Sequence, residues 1–171
     1  EYIGLWFWRV SLGVASLVSF NTFIQFLGGD KERLDSTLGN PIYLAVYALF
    51  HIFIALILFA RNDARKGERI VYAVLLPLQV WVLFMTATRG ATLGVIGGLL
   101  LAALGILFTL RHERNVQLAA GGLLATLILI IGGFWIARDS TFVQESPVLK
   151  RFSNISLTEG TVFARTVIWS M

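Results

Sequence analysis

The chain has no cysteine, three prolines and two histidines in 171 residues. Without cysteine there is no disulfide, thiolate metal ligand or thiol nucleophile. The two histidines, His51 and His112, lie 61 positions apart in different segments. No cluster has metal-ligand spacing, and no metal or other cofactor is expected. The sequence also lacks a Ser–His–Asp arrangement, a GxSxG motif and a P-loop. It has no fixed-period repeat and no low-complexity segment. Charge is scarce, at 14% of residues. The net charge of +4 comes from basic residues spread over loops, not gathered in a stripe. That distribution excludes a nucleic-acid surface.

What is abundant is hydrocarbon. Hydrophobic residues make up 57% of the chain, and the mean hydropathy of +0.77 is far from the soluble average. Apolar stretches run over 5–27, 41–60, 70–87, 90–110 and 116–137. Each is about long enough to cross a bilayer, since roughly 20 residues at 1.5 Å rise cover a ~30 Å hydrocarbon core. The expected fold is all-α: a polytopic transmembrane helical bundle with five spans over 1–137. Residues 138–171 are then the beginning of a periplasmic loop. The first stretch is too long for a cleavable signal peptide and precedes no cleavage site. Both ends read as cut, which makes the chain a fragment of a larger protein.

Loop charge orients the bundle. Arg61, Arg65, Lys66 and Arg69 lie between the second and third stretches, and Arg111 and Arg114 between the fourth and fifth. Short basic loops belong in the cytoplasm. The segment 28–40, the tip at Arg89 and everything after Arg138 then face outward. Trp6 and Trp8 fall near the inner interface and Trp135 near the outer one, as an aromatic belt requires. Arg9 is read as snorkelling to the interface. Gly90, Gly94 and Gly98 recur on one helix face and read as close packing by small residues. Gly121/Gly122 and Gly132/Gly133 read the same way.

The candidate chemistry lies outward. Thr88-Arg89-Gly90 reads as a tight hairpin tip carrying a permanent cation. Asn40 is a good N-cap and Pro41 suits the first helical position. Two helix N-termini and an arginine on one face make an anion site, because free N–H groups and the helix dipole both favour negative charge. Ordinary capping, with the arginine on lipid phosphates, is the alternative that the residues leave open. In the tail, 158–171 reads as an amphipathic helix on which Arg165 and Trp169 are four apart and share a side. It is either an interfacial helix or a carrier of a second cation. His51 lies mid-membrane, where a helix-to-helix hydrogen bond is expected rather than a proton relay. His112 is expected to be solvated.

The run 33–43 (RLDSTLGNPIY), the run 88–94 (TRGATLG) and the later Arg151-Phe152-Ser153 with Arg165 and Trp169 resemble the O-antigen ligase and O-antigen polymerase-like superfamily of bacterial membrane proteins. The order of elements and their common outer side are similar as well, and the likeness covers nearly the whole chain. The resemblance implies transfer of a glycan from an undecaprenyl-diphosphate carrier to an acceptor on the periplasmic face of the inner membrane. The acceptor is lipid A-core in ligases, a second lipid-linked glycan in polymerases, or a protein in the related oligosaccharyltransferases. The resemblance assigns Arg89 and Arg165 to the diphosphate. Arg151, Arg33 and Asn40 are secondary candidates. The family's loop histidine falls beyond Met171, so no catalytic residue is expected within this chain. A transporter of inorganic carbon or small anions is the rival reading. It would need broken helices and polar groups at the midplane, and only Pro77-Leu78-Gln79 offers an irregularity. A structural scaffold is the third.

Overall fold

A computed structural model describes residues 2–29, 33–61, 63–109 and 113–153, without the side chains of Tyr2, Ile3, Pro147 and Arg151. Among these residues every regular element is helical. Five long helices follow one another: α1 (Tyr2–Leu27), α2 (Pro41–Ala60), α3 (Lys66–Met85), α4 (Arg89–Thr109) and α5 (Arg114–Ala137). Two short ones follow, α6 (Thr141–Glu145) and α7 (Pro147–Ser153), and a 3-10 turn (Ser36–Leu38) precedes α2. All five long helices are long and apolar enough to span a membrane. By helix length and hydropathy the chain is a multi-pass membrane protein.

The helix ends differ from the apolar stretches in an instructive way. α3 begins at Lys66, four residues before the charge-free run starts. Charged side chains at a membrane face can extend a helix into the head-group layer, so a charge count sees only the hydrocarbon part. The Glu68 carboxylate helps there by accepting a hydrogen bond from Arg65 N at 3.3 Å. Pro77 sits inside α3 without ending it.

α2 is the centre of the bundle. It packs against α1, α3 and α4, whereas α5 packs chiefly on α4. The main core joins Leu44, Ala45, Ala48 and Ile52 of α2 to Val82 and Leu83 of α3 and Ala91 and Val95 of α4. A second cluster joins Leu12, Ala55, Leu58 and Tyr72. Gly94 and Gly98 explain the closeness of α4 to α2, because a Cβ at Gly94 would lie 2.9 Å from Leu49 and one at Gly98 would collide with the Phe53 ring. The expectation fails elsewhere. A Cβ at Gly90, Gly121, Gly122, Gly132 or Gly133 would meet nothing within 4 Å. On α5 the glycines thin the helix without bringing a neighbour closer.

The outer surface of the bundle is greasy. Leu17, Leu101, Leu129 and Ile136 are exposed, the last at 87%. In water such a face would promote aggregation. In a bilayer it faces acyl chains.

Inside, polar groups are paired between helices. Gln79 Nε2 donates to Ser19 Oγ at 2.9 Å, joining α3 to α1. His51 meets Ser11 of α1, the helix-to-helix bond expected of it. Among the described residues no buried side-chain polar atom lacks a partner, as the cost of an unsatisfied group in hydrocarbon demands. Arg9 is tied down as well as exposed: its Nη2 lies 3.0 Å from Glu68 Oε1 of α3, and 44% of its side chain is accessible.

Candidate functional site at the Arg89 end

The up-and-down order of the helices collects the end of α1, the start of α2, the α3–α4 turn and the residues after α5 at one end. Hydrogen bonds then join these pieces. Leu34 is fully buried, and its N–H donates to the Met85 carbonyl at 3.2 Å. Thr88 Oγ1 donates to the Pro41 carbonyl at 3.5 Å. So the loop before α2 lies against the turn before α4.

Gln25, in the last turn of α1, clamps that loop. Its Nε2 donates to Asp35 Oδ1 at 2.8 Å, and its Oε1 accepts from Ser36 N at 2.9 Å. Ser36 Oγ in turn donates to the Val18 carbonyl at 3.0 Å. The clamp holds an unfavourable backbone in place. Arg33, Ser36 and Ala87 all have positive φ, at 51°, 52° and 48°. Each such residue with a Cβ costs roughly 1–2 kcal/mol in the left-handed region.

Asn40 caps α2 as expected: its side chain accepts from Ile42 N at 2.8 Å, with Pro41 at the first helical position. That use commits the carboxamide oxygen. Arg89 differs slightly from its expected place. The turn is Thr86–Thr88, and Arg89 is the first residue of α4 rather than the hairpin tip. The left-handed Ala87 lets the chain reverse one residue earlier. The half-buried Arg89 therefore stands on a helix N-terminus, among first-turn N–H groups that carry the positive end of the dipole.

Arg33 lies at this end too, with its side chain exposed. α7, which carries Arg151, returns to it: Phe152 stacks on Phe84 of α3, with ring centroids 6.0 Å apart and planes within 14°. Arg165, Trp169 and the rest of 158–171 lie outside the described residues, as does His112. Arg33, Asn40, Arg89 and the Arg151 backbone thus share one end of the bundle. Sequence reasoning missed the Gln25–Asp35–Ser36 clamp and the Phe84–Phe152 stack. A polar residue in the last turn of an apolar helix was the available signal for Gln25. Nothing in the sequence pairs two phenylalanines 68 positions apart. Among the described residues no group of three or more His, Asp or Glu side chains could hold a metal.

Compared with known proteins, the chain matches no family model, no curated protein and no solved structure.

Proposed function

We propose that the Arg89 end holds the diphosphate of an undecaprenyl-linked glycan, and that the chain is part of an O-antigen ligase-like glycosyltransferase facing the periplasm. The observation that carries this reading is the pairing of two helix starts. Arg89 opens α4 beside the Asn40-Pro41 start of α2, and Thr88 Oγ1 bridges them to the Pro41 carbonyl. The first-turn N–H groups of α4, the positive end of the α2 dipole and a guanidinium suit a dianionic head group. Diphosphate is also the leaving group, whose charge grows in the transition state. Fixed positive groups aimed at it lower the barrier, more so where water is scarce.

Arg165 is the second diphosphate ligand in this proposal, with Arg151 and Arg33 at the rim. The acceptor is lipid A-core or another glycan acceptor, and the related polymerase and protein oligosaccharyltransferase reactions use the same donor chemistry. A transporter fits less well. α3 runs through Pro77 as one helix, and Gln79 is spent on Ser19 rather than left for a substrate.

The test is Arg89→Lys in the whole protein in its membrane, with donor accumulation and glycan-bearing product measured together. Lysine keeps the charge and loses the planar fork. A drop in transfer of roughly tenfold or more is expected, the size of one lost charged hydrogen bond of about 1.5–3 kcal/mol. Arg165→Lys behaves alike. Arg114→Lys, at the opposite end, keeps normal transfer. Normal transfer in both Arg89→Lys and Arg165→Lys defeats the proposal and leaves the two arginines as anchors on lipid phosphate.

A further inference from the structure

The first turn of α3, at the end of the bundle opposite Arg89, carries charge without counter-charge. Five cations gather where α1, the end of α2 and the start of α3 meet: Arg9, Arg61, Arg65, Lys66 and Arg69. Two carboxylates answer them, and both are already engaged. Glu68 Oε1 lies 3.0 Å from Arg9 Nη2, and Asp63 is held by two donors of Arg61. Among the described residues Arg65, Lys66 and Arg69 form no ion pair, and all three are exposed. Arg69 gives one hydrogen bond to the Arg61 carbonyl, from Nη2 at 3.0 Å. That uses one of the five N–H groups of a guanidinium.

This crowding is unfavourable within the chain itself. Arg65 and Arg69 are four apart, where like charges repel, and all three cations stand at the positive end of the α3 dipole. Orienting the bundle requires basic residues in the loop. It does not require three unpaired cations on one turn of helix.

The surface below them selects the class of anion. Lys66, Ile70, Ala73, Pro77 and Val80 follow one another at steps of four and three, so they share one face of α3. Every one of them is exposed, Ile70 at 65% and Val80 at 47%. The residues that α3 buries, Tyr72, Gln79, Val82 and Leu83, lie on its other side. From position 70 to position 80 the helix rises about 15 Å, half of a ~30 Å hydrocarbon core. The face is thus an apolar stripe one leaflet deep with cations at its rim.

We propose that this face of α3 binds an anionic phospholipid, its phosphate held by Lys66 and Arg69 with Arg65 beside them, and an acyl chain lying along 70–80.

A free phosphate would meet the cations and leave the stripe unused. A zwitterionic lipid would cover the stripe, but its own ammonium or choline cancels its phosphate and leaves the excess of cations unanswered. An anionic lipid answers both, and its charge relieves the repulsion within the turn. The site is read from one side chain cluster and the helix face directly beneath it, and it stands apart from the two ion pairs nearby.

The test begins with the wild-type chain. The purified protein is stripped of lipid in detergent and offered phosphatidylglycerol and phosphatidylcholine with identical acyl chains, and retained lipid is counted by native mass spectrometry. Phosphatidylglycerol should be held roughly tenfold or more tightly, since each cation near an anionic head group contributes and three are present. The triple variant Arg65→Gln, Lys66→Gln, Arg69→Gln should bring phosphatidylglycerol down to the phosphatidylcholine level, while Arg114→Gln keeps the wild-type preference. Detergent has no leaflets, so a change of orientation in the membrane does not enter the reading. Added inorganic phosphate should leave the retained phosphatidylglycerol in place. Equal retention of the two lipids by the wild type, an undiminished preference in the triple variant, or displacement by inorganic phosphate overturns the proposal. None of these results depends on what the Arg89 end does.

Discussion

Ser11 and His51 face each other across the α1–α2 interface, with 2.9 Å between Ser11 Oγ and His51 Nε2. The other ring nitrogen, Nδ1, lies 2.7 Å from the Tyr47 carbonyl one turn back on α2. A carbonyl only accepts, so Nδ1 carries a proton, and Nε2 shares its hydrogen bond with the serine hydroxyl. Both ring nitrogens are occupied. The ring acts as a joint between helices.

The first prediction measures that joint. In a double-mutant cycle of Ser11→Ala and His51→Leu, unfolding from bicelles should give a coupling energy of about 0.6 kcal/mol, and at most about 1.7, as for other hydrogen bonds between membrane helices. A coupling of zero would mean that the two groups merely lie close.

How much of this was legible beforehand follows from what each part depends on. The five spans were readable because crossing hydrocarbon demands long uninterrupted apolar runs. Asn40-Pro41 was readable because capping is local. The start of α3 precedes its apolar run because charge marks the edge of the hydrocarbon, not the end of hydrogen bonding. The reversal at Ala87 is hidden in the sequence because alanine rarely takes a positive φ, whereas a glycine such as Gly90 is free to do so. The α5 glycines looked like those of α4, but composition cannot tell which helix face meets a neighbour. Long-range pairs such as Gln79–Ser19 depend on how three helices dock, which one sequence does not encode locally. For the candidate site, the shared end of Arg33, Asn40 and Arg89 was expected from topology. The clamp that holds them was not.

A second prediction concerns close packing. Gly98→Ala should destabilise the chain by about 1–3 kcal/mol, the usual cost of overpacking, because the new methyl meets the Phe53 ring. Gly121→Ala should behave oppositely, since a Cβ there meets open space and alanine gains up to about 1 kcal/mol of helix propensity. Thermal unfolding in one detergent compares the two. Equal shifts would mean that the glycines of α4 have no packing role.

A third prediction tests the strained turn. Ala87→Gly should stabilise the folded chain by up to about 1 kcal/mol, because glycine takes positive φ freely while alanine does not. Its larger unfolded-state entropy offsets part of the gain. The same melting experiment reads it, and a clear loss of stability would show that the Ala87 methyl, 5% exposed, contributes more by packing than its backbone costs.

The last prediction fixes which way the bundle faces. Short basic loops stay in the cytoplasm, which puts Arg61–Asp63 inside and the Arg89 end outside. Single cysteines, in a chain that has none of its own, can report this. Ser36 is a poor position, because its hydroxyl bonds the Val18 carbonyl and its N–H bonds Gln25. Thr37, next to it, is exposed, and so is Asn115 at the far end. Thr37→Cys should react with a membrane-impermeant maleimide in cells whose outer membrane has been made permeable. Ser146→Cys, between α6 and α7, should react under the same conditions. Asn115→Cys should react only after the inner membrane is broken. The reverse pattern would turn the bundle over. It would carry Arg89 to the cytoplasmic side, where a periplasmic transferase has no use for it, and would defeat the functional proposal without touching the helix packing beneath it.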